Sequence, residues 1–220
     1  MLLCFPKSDC EIEDTWYTAG MRGTGSHDFN VKDVFVPAHR GFPFARFNLG
    51  PAEDRGGYNM PFPHVIIPAM ASVAIGIARD AIDSFKALAA KKTPRGSATT
   101  LAMQHTTHLR LGQAEALVRS AEAYIESVTQ EVDGHDYSDN GKLEELSAAV
   151  RLAGAQTVKQ ATEAVDIVFN LGGGSAIYES NRLERCFRDV HMVSHHIMVS
   201  ESSIEMVGQY LLGFGLKARR

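Results

Sequence analysis

His64-Val-Ile-Ile-Pro68-Ala-Met70-Ala-Ser-Val73-Ala-Ile-Gly-Ile77-Ala-Arg-Asp-Ala81-Ile-Asp-Ser-Phe85-Lys-Ala-Leu88-Ala-Ala-Lys91 is the stretch whose periodicity decides the fold class. Met70, Val73, Ile77, Ala81, Phe85 and Leu88 recur every three or four residues, the spacing that lines one face of an α-helix. It predicts a helix from about 64 to about 91, roughly 40 Å long, with Pro68 in its first turns. Thr93-Pro94-Arg95-Gly96-Ser97 breaks the pattern. Leu109, Gly112, Ala116, Ala121 and Tyr124 then predict a second helix over about 99–132, ended by the polar turn Asp133–Gly141. Leu143, Leu146, Val150, Ala153, Val158, Ala161, Val165 and Val168 predict a third, stopped by Gly172-Gly173-Gly174. A fourth is expected from near Arg188, with Val193, Ile197, Ile204, Val207 and Leu211 on its apolar side. Long helices joined by short connections and rich in alanine argue an antiparallel four-helix bundle over 64–220.

Upstream of that stretch the texture changes. Residues 41–63 carry Pro43, Pro51, Pro61 and Pro63 among glycines, and 51–63 reads as a linker. Within 1–50, Glu11-Ile12-Glu13 and the alternating run Asp28–Val36 read as half-buried strands, the second ended by Pro37. Gly20-Met21-Arg22-Gly23-Thr24-Gly25-Ser26 supplies the turn between them. Two or three strands cannot form a stable sheet alone, so residues 1–50 are read as the terminal strands of an incomplete β domain. The expected fold class is therefore mainly α, a four-helix bundle preceded by a short remnant of a β domain, in a chain that looks truncated.

Composition removes several function classes. The 220 residues are 45% hydrophobic and 22% charged, enough for a real core. Lys+Arg 22 against Asp+Glu 26 gives a net charge of −4. No run of five like charges occurs, so there is no electrostatic footprint for nucleic acid or anionic lipid. Cys4, Cys10 and Cys186 form neither an even framework nor a CxxC pair, which argues against a disulfide scaffold or a cysteine zinc site and fits a reducing cytoplasm. No stretch of 18 apolar residues or signal-peptide pattern is present in the sequence.

Three constellations could carry chemistry. Asn170-Leu-Gly172-Gly173-Gly174-Ser175-Ala-Ile-Tyr178 reads either as a helix stop with a tight turn or as a backbone that a flat or phosphorylated ligand can approach. Arg185-Cys-Phe-Arg188-Asp189-Val-His191-Met-Val-Ser194-His195-His196 gathers titratable groups at what reads as a helix start. Asp189 there would suit the helix dipole and pair with Arg185 or Arg188. His191 and His195, four apart, share a face and are open to three readings: a hydrogen-bonded or surface role, proton transfer, and a metal site lacking a third ligand. His105 and His108 read as a solvated face. Thr15–Ser26 holds the single tryptophan, Trp16, expected in the core, and Ser26 has no base beside it.

Taken together, Asp14-Thr-Trp16, Gly20-Met-Arg-Gly-Thr-Gly-Ser26, Asp33-Val-Phe-Val-Pro37, Leu171-Gly-Gly-Gly174 and Arg185-Cys-Phe-Arg-Asp-Val-His191, in this order, resemble the acyl-CoA dehydrogenase superfamily. The resemblance covers essentially the whole chain but only the C-terminal half of such a protein. The chain is most similar to the flavin-dependent monooxygenase branch, the oxygenase components of two-component aromatic hydroxylases. Where dehydrogenases commonly have a tyrosine and then a catalytic glutamate, this sequence has His196-Ile197-Met198-Val199, so the carboxylate that removes an α-proton is missing there. The resemblance implies hydroxylation of an aromatic or polycyclic substrate through a flavin hydroperoxide, with His196 as the catalytic residue. It implies reduced FMN or FAD as cofactor, delivered by a separate flavin reductase and contacted by Asn170, Gly173 and Gly174. It also implies a homotetramer built through the helices, an expectation supported by Ala148, Ala149, Ala153 and Ala155 on several sides of the third helix. The alternatives are an acyl-CoA dehydrogenase-like flavoprotein and a non-catalytic helical oligomerisation domain.

Overall fold

The computed structural model describes residues 1–42, 60–137 and 140–216. Helix α1 (Phe62–Ala89) starts behind the buried Pro61. Pro63 takes its first turn, where a missing N–H costs nothing, and Pro68 its second. Ile67, Ala71, Ala74, Ala78, Ala81, Ile82 and Phe85 form its buried stripe. Its length and mean hydropathy of 1.7 would also suffice to cross a membrane; here one face of it forms the bundle core. Helix α2 (His105–Asp133) begins six residues later than the periodicity suggests, because Leu101 is buried in a short turn whose N–H is held by the Lys92 carbonyl at 2.9 Å. Helix α3 (Leu143–Gly172) runs the expected span and packs between α1 and α2. Gly154 on α3 admits Ile67 so closely that a Cβ would lie 2.2 Å from its Cγ2, and Thr157 donates to the Ala121 carbonyl on α2. His64 at the start of α1 meets Ser147 and Lys92 past its end meets Gly172, so α1 and α3 run parallel; Leu101 ahead of α2 bonds to Lys92 and Tyr137 past its end to His64, so α2 is antiparallel to both.

The expected fourth helix is two helices, α4 (Arg182–Ser194) and α5 (Glu201–Leu211). Asn181 starts α4 by accepting the Leu183 N–H at 3.0 Å, so Asp189 lies in its interior rather than in a first turn. Three serines flank the break at 195–200, and Met198 N–H closes a turn there on His196 Nδ1. Ser194 Oγ donates to the His191 carbonyl at 2.7 Å, Ser200 occupies the N-cap position of α5, and Ser203 Oγ donates to the Met198 carbonyl at 3.0 Å. Val193, Val199 and Val207 stay buried across the break, but Ile197, expected on the apolar side, is 72% exposed. Ala148, Ala153 and Ala155 are buried within the chain itself, and Ala149 packs partly against its core, so these alanines are not an outer face for a second copy.

Before the bundle, β1 (Leu2–Leu3) pairs antiparallel with β4 (Gly41–Phe42), and β2 (Glu11–Glu13) with β3 (Asp28–Asn30), Ile12 lying opposite Phe29. The second expected strand stops at Asn30 instead of reaching Val36. Asp33 turns the chain with a left-handed φ of 49°, and the described residues offer no partner strand beyond. Ile12 and Phe29 remain 52% and 57% exposed on so small a sheet. Most of the expected linker, residues 51–63, lies outside the described residues; its last two residues belong to α1.

Candidate active site

The α4–α5 turn presents His196 at the surface. Its Nδ1 accepts the Met198 N–H at 3.2 Å, which in the neutral ring assigns the proton to Nε2 and leaves Nε2–H as a donor for a ligand. His195, next in the chain, lines a cleft of about 510 Å³ between α3 and the α4–α5 turn, together with Val158, Lys159, Asp166 and Glu201. The two histidines therefore have separate surroundings, set by the turn. His191 Nε2 meets Asp166 Oδ1 on α3 at 2.8 Å and its ring packs on Phe187, which stacks on Phe169. That pairing makes His191 a bridge between helices. Among the described residues no group of three or more His, Cys, Asp or Glu is arranged to hold a metal.

The glycine run follows α3 directly. Gly172 is a packing glycine, since a Cβ there would lie 2.9 Å from Ala176 Cβ and 3.0 Å from Leu183 Cδ1, and its carbonyl accepts Lys92 Nζ at 2.6 Å. Gly173 has φ 52° and ψ −149°, a conformation essentially reserved for glycine. Gly174 is exposed, and a Cβ there would meet nothing within 4 Å. The described residues thus give no packing reason for glycine at 174, whereas a ligand laid against the backbone would need one. Asn170, beside it, is exposed and donates one amide hydrogen to its own helix at the Asp166 carbonyl, 2.8 Å away.

Two motifs distant in sequence meet at α4. The loop Thr18–Ser26 docks on Arg188 and Asp189: Met21 N–H donates to Asp189 Oδ1 at 2.7 Å, and Arg188 Nη1 donates to the Ala19 carbonyl at 2.7 Å. Arg185 pairs with Asp189 at 3.4 Å, while Arg188 is engaged by Glu184. Trp16 is half-buried and donates to the Met21 carbonyl at 3.2 Å, bracing this loop instead of joining the core. His105 and His108 stack edge-on, and His108 Nε2 lies 2.8 Å from the Ala102 carbonyl.

Sequence reasoning missed His64. It is buried in the first turn of α1, with Nδ1 3.0 Å from Tyr137 Oη and Nε2 2.8 Å from Ser147 Oγ. Tyr137 Oη donates to the Val132 carbonyl at 3.1 Å, so it accepts from His64 Nδ1–H, and Ser147 donates to Nε2. Burial, with the positive charges of His135 and Arg151 nearby, lowers its pKa to about 4. The signal was its phase, three and seven residues before Ile67 and Ala71 on the buried stripe.

The family model for the acyl-CoA dehydrogenase C-terminal domain matches residues 69–201, from the second turn of α1 through the His196 turn. The chain belongs to this family. Among curated acyl-CoA dehydrogenase-like relatives, the oxygenase component of an FADH2-dependent resorcinol hydroxylase from Rhizobium sp. (strain MTP-10005) is 30% identical, over 99% of this chain and 57% of its own length. Indole-3-acetate monooxygenase from Pseudomonas putida is 28% identical, over 96% of this chain and 54% of its own. Among solved structures, XiaF from Streptomyces sp., in complex with FADH2 and glycerol, is 25% identical and superposes with a TM-score of 0.88 over 99% of this chain and 56% of that one. The chain spans about half the length of the relatives it matches. The two curated names are those of a monooxygenase and of the oxygenase component of an FADH2-dependent hydroxylase, and the XiaF structure holds FADH2.

Proposed function

We propose that this chain is the C-terminal part of a reduced-flavin-dependent monooxygenase that hydroxylates an aromatic or polycyclic substrate. The observation that carries the reading is the α4–α5 turn. It holds an exposed imidazole in a defined tautomer, next to an exposed Ile197 where a dehydrogenase of the superfamily would carry its carboxylate base. An Nε2–H donor suits a phenol or phenolate oxygen, which it would orient without removing a carbon-bound proton. Reduced flavin, when bound, supplies the electrons for oxygen activation. Gly173, Gly174 and Asn170 would form one side of its cradle, and the choice between FMN and FAD depends on contacts beyond these three residues. His196 would donate to the substrate oxygen, while the rest of the protein encloses the site and excludes water.

A flavin reductase is the expected partner in trans, by analogy with relatives named as oxygenase components. A homotetramer is the expected assembly. With the α3 alanines used inside the chain, the surface that supports it is the apolar side chain pair Ile177 and Tyr178, each 65% exposed beside the glycine run. A cytoplasmic location fits the free thiols Cys4, Cys10 and Cys186.

The test supplies reduced flavin and oxygen to this chain alone and to a complete protein carrying it. The complete protein should hydroxylate phenolic substrates and the isolated chain should not, because half of the enclosure is missing. In the complete protein His196→Ala should lower hydroxylation, or raise hydrogen peroxide release, by about 10²-fold, well beyond the effect of His191→Ala, with flavin binding retained. Equal, small effects from both substitutions would reduce His196 to a structural histidine.

A further inference from the structure

Helix α4 touches three features that the sequence presents separately. At its start, Asn181 donates to the Ser175 carbonyl at 2.8 Å and Leu183 packs on Gly172, which ties it to the glycine run. At its end, Ser194 leads into the turn that carries His196. Between them, Arg188 and Asp189 hold the Thr18–Ser26 loop. A helix of 13 residues spans roughly 20 Å, so α4 is a strut with the glycine run at one end and the histidine turn at the other.

The loop is held unusually closely at the middle of that strut. A Cβ on Gly20 would lie 2.3 Å from the Arg188 carbonyl oxygen, so the loop backbone rests directly on the helix backbone. The next residue, Met21, has a left-handed φ of 52°, which a non-glycine residue keeps only where its surroundings over-determine it. Asp189 supplies that determination through a charge-assisted hydrogen bond from Met21 N–H, and its side chain is only 18% exposed. Arg188 Nη1 on the Ala19 carbonyl prevents the loop from rotating about that single bond.

We infer that Asp189 is a positioning residue: by clamping Met21 N–H it locks the N-terminal β segment to α4 and so fixes where the His196 turn stands relative to that segment and to the glycine run. The clamp itself is read from the geometry; its consequence for catalysis rests on the function proposed above. A purely local role would hold the loop and leave the turn unchanged, and the two are separable. Met198 N–H, bonded to His196 Nδ1, reports on the turn, and Met21 N–H reports on the loop.

The experiment measures amide exchange at Met21 and Met198, and the ring nitrogen resonances of His196, in the isotopically labelled chain. Asp189→Ala should speed exchange at both amides by about tenfold or more and shift the His196 Nδ1 resonance, in line with the loss of a hydrogen bond to a charged group. Asp189→Leu keeps the volume without the acceptor and should behave alike, which covers the case in which the alanine variant does not fold. Asp189→Asn retains an acceptor oxygen and should restore most of the protection. Arg185→Ala removes only the exposed partner at 3.4 Å and should change neither reporter. Faster exchange at Met21 with Met198 and His196 unchanged would overturn the inference. In a complete protein, Asp189→Ala should also raise hydrogen peroxide release per oxygen consumed without weakening flavin binding. If the unsubstituted complete protein does not hydroxylate at all, the functional reading fails, and the exchange data still decide the clamp.

Discussion

Acidification from pH 7.5 to 4.5 should destabilise this fold through His64, and His64→Gln should remove that sensitivity. The imidazole is enclosed by α1, Tyr137 and Ser147, and its folded pKa is about 4 against an ordinary 6.5. Above pH 6.5 it is neutral in both states and its contribution is complete. As the pH falls below 6.5 the unfolded chain takes up a proton that the folded chain refuses, so stability declines until the folded group itself protonates near pH 4. Each pH unit in that window is worth about 1.4 kcal/mol, so about 2–3 kcal/mol should be lost by pH 4.5. Glutamine at 64 can donate to Tyr137 and accept from Ser147 as the neutral imidazole does, but it cannot titrate. Urea unfolding of both proteins at half-unit pH steps gives the difference, in which titrating groups remote from His64 cancel. The difference should move by about 2–3 kcal/mol in favour of the glutamine variant between pH 7.5 and 4.5. A difference constant to within about 0.5 kcal/mol across that range would refute the assignment of His64 as a buried neutral group.

Gly20→Ala should destabilise the chain by about 1–3 kcal/mol, since its Cβ meets the α4 backbone, which cannot move aside as a flexible side chain would; an unchanged urea midpoint would contradict the close approach. Light scattering at tens of micromolar should show an oligomer, and Tyr178→Glu should shift it toward monomer by placing charge in the exposed apolar pair. A monomer in the unsubstituted chain would remove the support for a tetramer.

The sequence by itself determined the helical character, the span of α3, the position of Pro68 and the glycine run after a helix, whereas the significance of His196 and Ile197 came from the resemblance to the acyl-CoA dehydrogenase superfamily. The helices and the glycine run were legible because apolar periodicity and backbone permissiveness are local properties of the chain. The break between α4 and α5 was not, because Val193, Ile204 and Val207 keep a helical phase through it and no glycine or proline marks it. Nor was the length of the second strand, since Val31–Val36 alternate as a strand should and only the absence of a partner strand among the described residues leaves them unpaired. Tertiary structure alone decided which residues meet. Asp189 reaches Met21 across 168 positions, His191 finds Asp166, and His64 is closed in by residues more than 70 positions away. Such pairings depend on how the helices pack, and a single sequence records the packing faces without recording which of them come together.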